Sequence, residues 1–146
     1  MLQITKRVNI ENVVLDATLS LSYDLRQKSR VLVTLDNGNE AGIILPRGTR
    51  LREGDVLQAD SGLFIGVFAA PEEVTTARCA DALLFAKACY HLGNRHVPLQ
   101  IGDACLRYKR DHVLDDMLLG LGLQIEHEVA TFEPEPGAYD GHVHHE

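Results

Sequence analysis

The sequence predicts an α+β protein: a small all-β domain, then a mixed domain in which two helices alternate with strands, then a flexible tail. Three observations carry that expectation. Residues 1–70 are short runs of Val, Ile, Leu and Thr between turn residues, with no long helical period. After Pro71-Glu72-Glu73 two apolar helical stripes alternate with strand-like runs. From Glu133 onward the chain becomes rich in Pro, Gly and acid. These shifts divide it into 1–71, 72–133 and 134–146.

In the first domain the expected strands are LQITKRV (2–8), NVVLDATLSLSYDL (12–25), RVLVTLD (30–36), EAGIILP (40–46), DVLQAD (55–60) and LFIGVFAA (63–70). Asn37-Gly38 lies between the third and fourth runs and signals a hairpin, because both residues tolerate positive φ. A small barrel or sandwich follows from this pattern.

In the second domain EVTTARC (73–79) suits a strand, and Asp81 can cap a helix running to Leu92 with Gly93 just beyond it. Leu84, Phe85, Ala88, Cys89 and Leu92 form one apolar face of that helix. VPLQIG and CLRYK read as two strands around Gly102-Asp103. A second helix starts near Asp111, with Leu114, Met117, Leu118 and Leu121 on one face and Gly120 and Gly122 at its end. LQIEHEVATF (123–132) is the last strand. The order β-α-β-β-α-β is the ferredoxin-like pattern.

Composition narrows the function. With 45 % hydrophobic and 24 % charged residues, the chain has the proportions of a protein that folds around an apolar core. No apolar run approaches the roughly 20 residues of a membrane span, and MLQITKRVNI lacks the apolar stretch of a secretory leader. Cys79, Cys89 and Cys105 cannot pair completely within one chain and form no C-x-x-C, which favours a reducing cytoplasm.

The net charge of −7 argues against nucleic acid as a partner. Residues 1–70 hold 8 cationic and 8 anionic side chains, so the whole excess falls on the second half. All seven histidines (91, 96, 112, 127, 142, 144 and 145) are there too. Acidic field and imidazole together suit either a solvated acidic domain or one that attracts a divalent cation and ligates it through nitrogen.

No phosphate-binding G-x-x-x-x-G-K-[ST], no H-E-x-x-H and no G-x-S-x-G is present, so no enzyme is expected. His127-Glu128 lies in an alternating strand and reads as solvent-facing, and one of Asp115 and Asp116 should simply face water. The tail histidines His142, His144 and His145 are unhindered imidazoles suited to Ni, Cu or Zn. His96 follows Gly93 in the link between helix and strand. Alone it is a solvated loop residue; a two-fold axis nearby would bring two copies together as a two-nitrogen site. His112 stands at the first turn of the second helix, where the dipole keeps the ring neutral, as a ligand must be, although a plain helix-end residue fits equally. His91 reads as solvated, and the cysteines as structural thiols. Arg47, Arg50 and Arg52 form a basic loop that could dock an acidic partner or simply be solvated.

The segment AKACYHLGNRHVPLQ (86–100) closely resembles the signature of the UreE-type urease accessory proteins. Leu106-Arg107-Tyr108, DHVLDDM (111–117) and FEPEPGAY (132–139) look like the same family. The likeness is strong over 73–139 and looser over the β half. It implies a β domain for partner or peptide contact and a metal-binding domain that forms a symmetric homodimer. In such proteins the histidine matching His96 is the principal nickel ligand, one from each protomer. Tail histidines add donors, and the position matching His112 is a secondary site.

The implied role is delivery of Ni(II) to urease apoprotein through a complex with an accessory GTPase, with Zn(II) or Cu(II) as possible occupants in vitro. Two departures stand out. Lys109 and Arg110 occupy positions where some members carry a histidine, which weakens the secondary site. The tail offers three histidines rather than a long run, which argues against bulk storage. The rival readings are a general Zn, Cu and Ni homeostasis protein and a β-domain interaction module whose histidines are incidental.

Overall fold

The structure, a computed structural model, describes residues 1–137; His142, His144 and His145 lie outside the described residues. The chain divides into two compact units, Met1–Ala70 and Pro71–Glu146. Among the described residues no helix is long and apolar enough to cross a membrane.

The first unit contains β1 (Leu2–Val8), β2 (Ala17–Leu21), α1 (Tyr23–Arg26), β3 (Arg30–Thr34), β4 (Glu40–Ile44), β5 (Val56–Ala59) and β6 (Phe64–Ala69). The strands form one sheet in the order β2-β6-β5-β1-β4-β3, with β1/β4 and β2/β6 parallel. The two edge strands approach one another at one end. The Asp36 N–H donates to Thr18 O at 3.0 Å, and the Thr18 hydroxyl donates to Asp36 Oδ2 at 2.6 Å. The sheet therefore curls around its apolar side chains, among them Ile4, Leu19, Ile43, Leu57 and Ile65.

Asn37-Gly38 does turn the chain between β3 and β4. Gly38 takes φ 93°, its N–H donates to Leu35 O at 2.9 Å, and Asn37 Oδ1 accepts from the Asn39 N–H at 2.9 Å. The expectation of one strand over 12–25 is corrected, since only Ala17–Leu21 is extended. Ser22 ends the strand because its hydroxyl accepts from the Leu25 N–H and caps the short α1. Arg26, at the end of α1, is 2 % exposed and donates from Nε to Leu21 O at 3.1 Å.

The second unit contains β7 (Pro71–Arg78), α2 (Ala82–Asn94), β8 (Gln100–Gly102), β9 (Cys105–Lys109), α3 (His112–Leu121) and β10 (Gln124–Thr131). Its sheet is antiparallel throughout, in the order β10-β7-β9-β8. Asp81 caps α2 by accepting from the Leu83 and Leu84 N–H groups, and Asp111 caps α3 by accepting from Val113 and Leu114. Ala88 and Leu92 of α2 and Leu114 and Leu118 of α3 pack against Leu106 and Tyr108 of the sheet. Gly122 stops α3 at φ 100°, and the Leu123 N–H closes the end on Leu118 O.

Two boundaries differ from expectation. Helix α2 does not stop before Gly93 but runs through it to Asn94. Its last turn then tightens, with Arg95 N–H on Leu92 O at 3.1 Å and His96 N–H on Gly93 O at 3.0 Å. The left-handed position falls on His96, at φ 59°. The second difference is at the C-terminal end. Composition put 134 onward in a flexible tail, yet Phe132 is fully buried and the Glu133 N–H donates to Gln100 Oε1 at 2.9 Å. The Glu135 N–H donates to Leu99 O at 2.8 Å. Since β10 and β8 are opposite edges of the sheet, this segment crosses from one to the other. A Pro-rich composition predicts poor helix and strand formation, but it does not exclude a strap held by individual backbone bonds.

Candidate metal centre

His96 is positioned by the end of α2. Leu92 anchors the last turn in the core, the chain tightens, and His96 leaves it fully in the left-handed region and exposed to solvent. A non-glycine residue there costs on the order of 1 kcal/mol, which glycine would avoid. Val97 and Pro98 lead from it into buried Leu99, whose carbonyl accepts from the Glu135 N–H. The C-terminal strap is thus tied to the chain three residues from His96.

His112 is the first residue of α3, exposed, directly after the capping Asp111. At that position it sits over the positive end of the helix dipole. Arg110 and Lys109 precede it, and the Arg110 N–H donates to Glu73 O at 3.3 Å. His91 is also exposed, with its ring edge-on to Tyr90 at 5.3 Å between centroids. Arg47, Arg50 and Arg52 are exposed in the first unit.

One of Asp115 and Asp116 does face water, and His127 is exposed, as expected, although the His127 ring also has a partner. Asp116 is the exposed carboxylate of its pair; Asp115 is only 6 % exposed. It accepts from the Tyr108 hydroxyl at 2.6 Å and the Thr75 hydroxyl at 2.8 Å. Its other oxygen, Oδ2, lies 2.7 Å from His127 Nε2. His127 therefore faces α3 and its carboxylate, although its side chain keeps 38 % of its surface in water. Burial alone would raise the Asp115 carboxyl, but bonds from Tyr108, His127 and Thr75, with the His127 charge, outweigh it and hold the carboxyl below its ordinary value. Burial first, and then the bond to Asp115 and its charge, push the Tyr108 hydroxyl far upward.

This cluster was legible in principle. Thr75 and Ala77, Leu106 and Tyr108, and Ile125 and His127 each alternate onto one sheet face. Asp115 adjoins the Leu114/Leu118 stripe of α3. A carboxylate beside an apolar stripe, facing strands that turn hydroxyl and imidazole groups inward, is the signal of a satisfied buried anion.

The three cysteines do not converge. All are half-buried; burial raises the Cys89 thiol, and Cys79 Sγ donates to Asp81 O at 3.5 Å. Among the described residues no three His, Cys, Asp or Glu side chains come together as a metal-holding group. His96 and His112 are thus single exposed donors, and the three tail histidines fall outside the described residues.

Comparison with known proteins adds a match over nearly the whole chain. Residues 4–70 match the family model for the UreE urease accessory protein N-terminal domain, and 72–146 match that for its C-terminal domain. A urease accessory protein UreE from Alkalilimnicola ehrlichii is 57 % identical over 141 residues, covering 97 % of this chain and 86 % of the relative. One from Pseudomonas putida strain W619 is 54 % identical over 99 % of this chain and 89 % of its own length. One from Escherichia coli O157:H7 is 52 % identical over 99 % and 94 %.

Proposed function

The chain belongs to the UreE family of urease accessory proteins, and we propose that it carries Ni(II) as cargo and hands it to urease apoprotein. In this reading two protomers meet about a two-fold axis and each contributes His96, giving two imidazole nitrogens to one ion. His142, His144 and His145 or waters complete the coordination, and His112 is a secondary donor. The β-α-β-β-α-β order and the sheet order of the second unit support its description as ferredoxin-like. The relatives are named as accessory proteins, which fits a carrier without catalysis of its own. The acidic second half raises the local concentration of a divalent cation. Transfer proceeds in the cytoplasm, through a complex with the accessory GTPase.

The observation that carries this reading is the bond from the Glu135 N–H to Leu99 O, 2.8 Å long. It ties the chain leading to the tail histidines beside the His96 link. From residue 135 to residue 142 an extended chain spans at most about 24 Å, and from 96 to 99 about 10 Å. Tail nitrogens are thereby available to the His96 site at high effective concentration. A site assembled from two protomers and a tail, rather than closed within one core, can lose ligands one at a time to an acceptor. Imidazole must be neutral to ligate, so affinity should weaken as pH falls below about 6.

The test is calorimetric Ni(II) binding with mass by light scattering, on wild type, His96→Ala and His96→Gly. The expected result is one tight ion per dimer, weakened at least about 100-fold in both variants. Relieved of the left-handed strain, His96→Gly should be as stable as wild type or up to about 1 kcal/mol more stable. Tight binding that survives both substitutions would sink the paired-histidine site.

A further inference from the structure

The first unit is formally neutral, but its charges are sorted along the strands. Strands β1, β2, β4 and β6 run one way and β3 and β5 the other. The starts of the first four and the ends of the other two therefore share one end of the sheet. Asp16, Asp36, Glu40 and Asp60 sit at that end, with no Lys or Arg beside them. All eight Lys and Arg lie at or toward the opposite end. Lys6 and Arg7 are in the second half of β1, and Arg26 and Lys28 are in α1 and its link to β3. Arg30 opens β3, and Arg47, Arg50 and Arg52 are in the loop from β4 to β5. Asp24, Glu53 and Asp55 are the anions there, with Glu11 in the link from β1 to β2. A neutral composition thus hides a dipole.

Three bonds gather the cations into one surface. The Leu51 N–H donates to Arg26 O at 2.8 Å, the Leu45 N–H to Ser29 O at 2.9 Å, and Arg7 Nη1 to Arg50 O at 2.8 Å. Leu51 is 1 % exposed and anchors the loop in the core. The Thr49 hydroxyl closes the turn on Pro46 O at 2.6 Å. The neighbouring anions are already engaged. Asp55 Oδ2 lies 3.5 Å from Arg7 and accepts from the Arg52 N–H, and Glu53 accepts from the Ala69 N–H. The exposed side chains of Lys28, Arg30, Arg47 and Arg52 have no hydrogen-bond or ion-pair partner among the described residues. A merely solvated loop gains nothing from a pinned backbone and segregated charge. A docking surface uses both.

We propose that this basic end of the first unit docks a carboxylate-rich face of a partner protein. On the delivery role proposed above, that partner is urease apoprotein or an accessory protein bound to it; the surface itself does not depend on His96. Guanidinium groups pair well with planar carboxylates. The carboxylates at the opposite end of the sheet repel the same partner, so the dipole sets the orientation of approach.

The test measures association of the full chain with purified urease apoprotein bearing its other accessory proteins. Between about 50 mM and about 300 mM NaCl the affinity should fall at least about 10-fold. Arg47→Glu together with Arg52→Glu should weaken binding about 10-fold to 100-fold, mainly in the association rate, and flatten the salt dependence. Lys87→Glu, in α2, shifts the net charge as much as Arg47→Glu alone. It should weaken binding less than about 2-fold, against at least about 5-fold for Arg47→Glu. Ni(II) calorimetry should be unchanged in every variant, because fold and metal site are untouched. Equal losses in Arg47→Glu and Lys87→Glu, salt-insensitive binding of the wild type, or displacement of the complex by a short DNA duplex but not by polyglutamate would each overturn the inference. Nickel-dependent urease activation by the wild type is scored separately. Activation without salt-sensitive association would remove the docking surface and leave the carrier reading standing.

Discussion

Among the described residues each unit buries one charged side chain, and the two do so in opposite ways. In the first unit Arg26 is 2 % exposed and binds the backbone oxygen of Leu21, with its guanidinium carbon 5.9 Å from the centre of the Tyr23 ring. In the second unit Asp115 is 6 % exposed and is satisfied by side chains from three strands. Backbone oxygen and the Tyr23 ring close Arg26 into the packing of α1. The Asp115 cluster opens to water through His127. A buried charge with an outlet to the surface can influence chemistry there, whereas one shut inside can only hold the fold. The histidines and the acidic excess lie in the unit that has the outlet.

The largest effect expected from breaking this contrast is in the first unit. Arg26→Ala removes a fully buried long side chain and leaves Leu21 O without that donor, so it should destabilise by about 3 kcal/mol. Hydrogen exchange read separately for residues 1–70 and 71–137 should place the loss in the first. Nickel affinity of the folded variant should not change. A tenfold fall in affinity would show that the first unit is part of the metal site and end the division of labour.

Asp115→Asn tests the other side, with a smaller effect. Tyr108 and Thr75 keep a partner, but the charge-assisted bonds are lost, at a cost of about 2 kcal/mol. The sign with pH follows from a carboxyl held below its ordinary value. Its stabilisation is fully present above the unfolded value of about 3.9 and disappears as pH falls through the folded value. Urea unfolding should therefore show the gap between metal-free wild type and Asp115→Asn constant at neutral pH and closing below about pH 4. A gap that stayed open in acid would mean that the cluster does not stabilise through the ionised carboxylate.

The same contrast explains what the sequence revealed. Apolar periodicity is additive over many residues, so the α2 and α3 stripes and most strands were legible. Single polar groups were not. Ser22 turned half of an apparent strand into a helix through one hydroxyl, and Asp115 went inward although Asp116 beside it stayed in water. The Ser22 outcome turns on Leu25, three residues on. That of Asp115 depends on Thr75 and His127, 40 and 12 residues away. Alternation along the strands points both inward but does not pair them with one carboxylate until the sheet order is known. His96 was recognisable from its neighbours in the sequence, but its left-handed backbone was not, because Gly93 offered a nearer and cheaper place for the turn. The strap was hidden for a related reason: the Glu133 and Glu135 N–H groups help to hold it, and composition carries no trace of their bonds.

The smallest effect concerns that strap and sharpens the contrast within the second unit. Glu135→Pro deletes the N–H that donates to Leu99 O but leaves every candidate ligand in place. Pro134 and Pro136 already restrict the flanking backbone, so little else should change. If the bond serves to keep tail donors near His96, its loss lowers their effective concentration, and nickel should bind about 3-fold to 10-fold more weakly. The same substitution in a chain already carrying His142→Ala, His144→Ala and His145→Ala should then have no effect on affinity, since no tail donor remains to be localised. An equal weakening in both backgrounds would mean that the bond shapes the His96 link itself. The strap would then be part of the site's frame rather than a tether for its ligands.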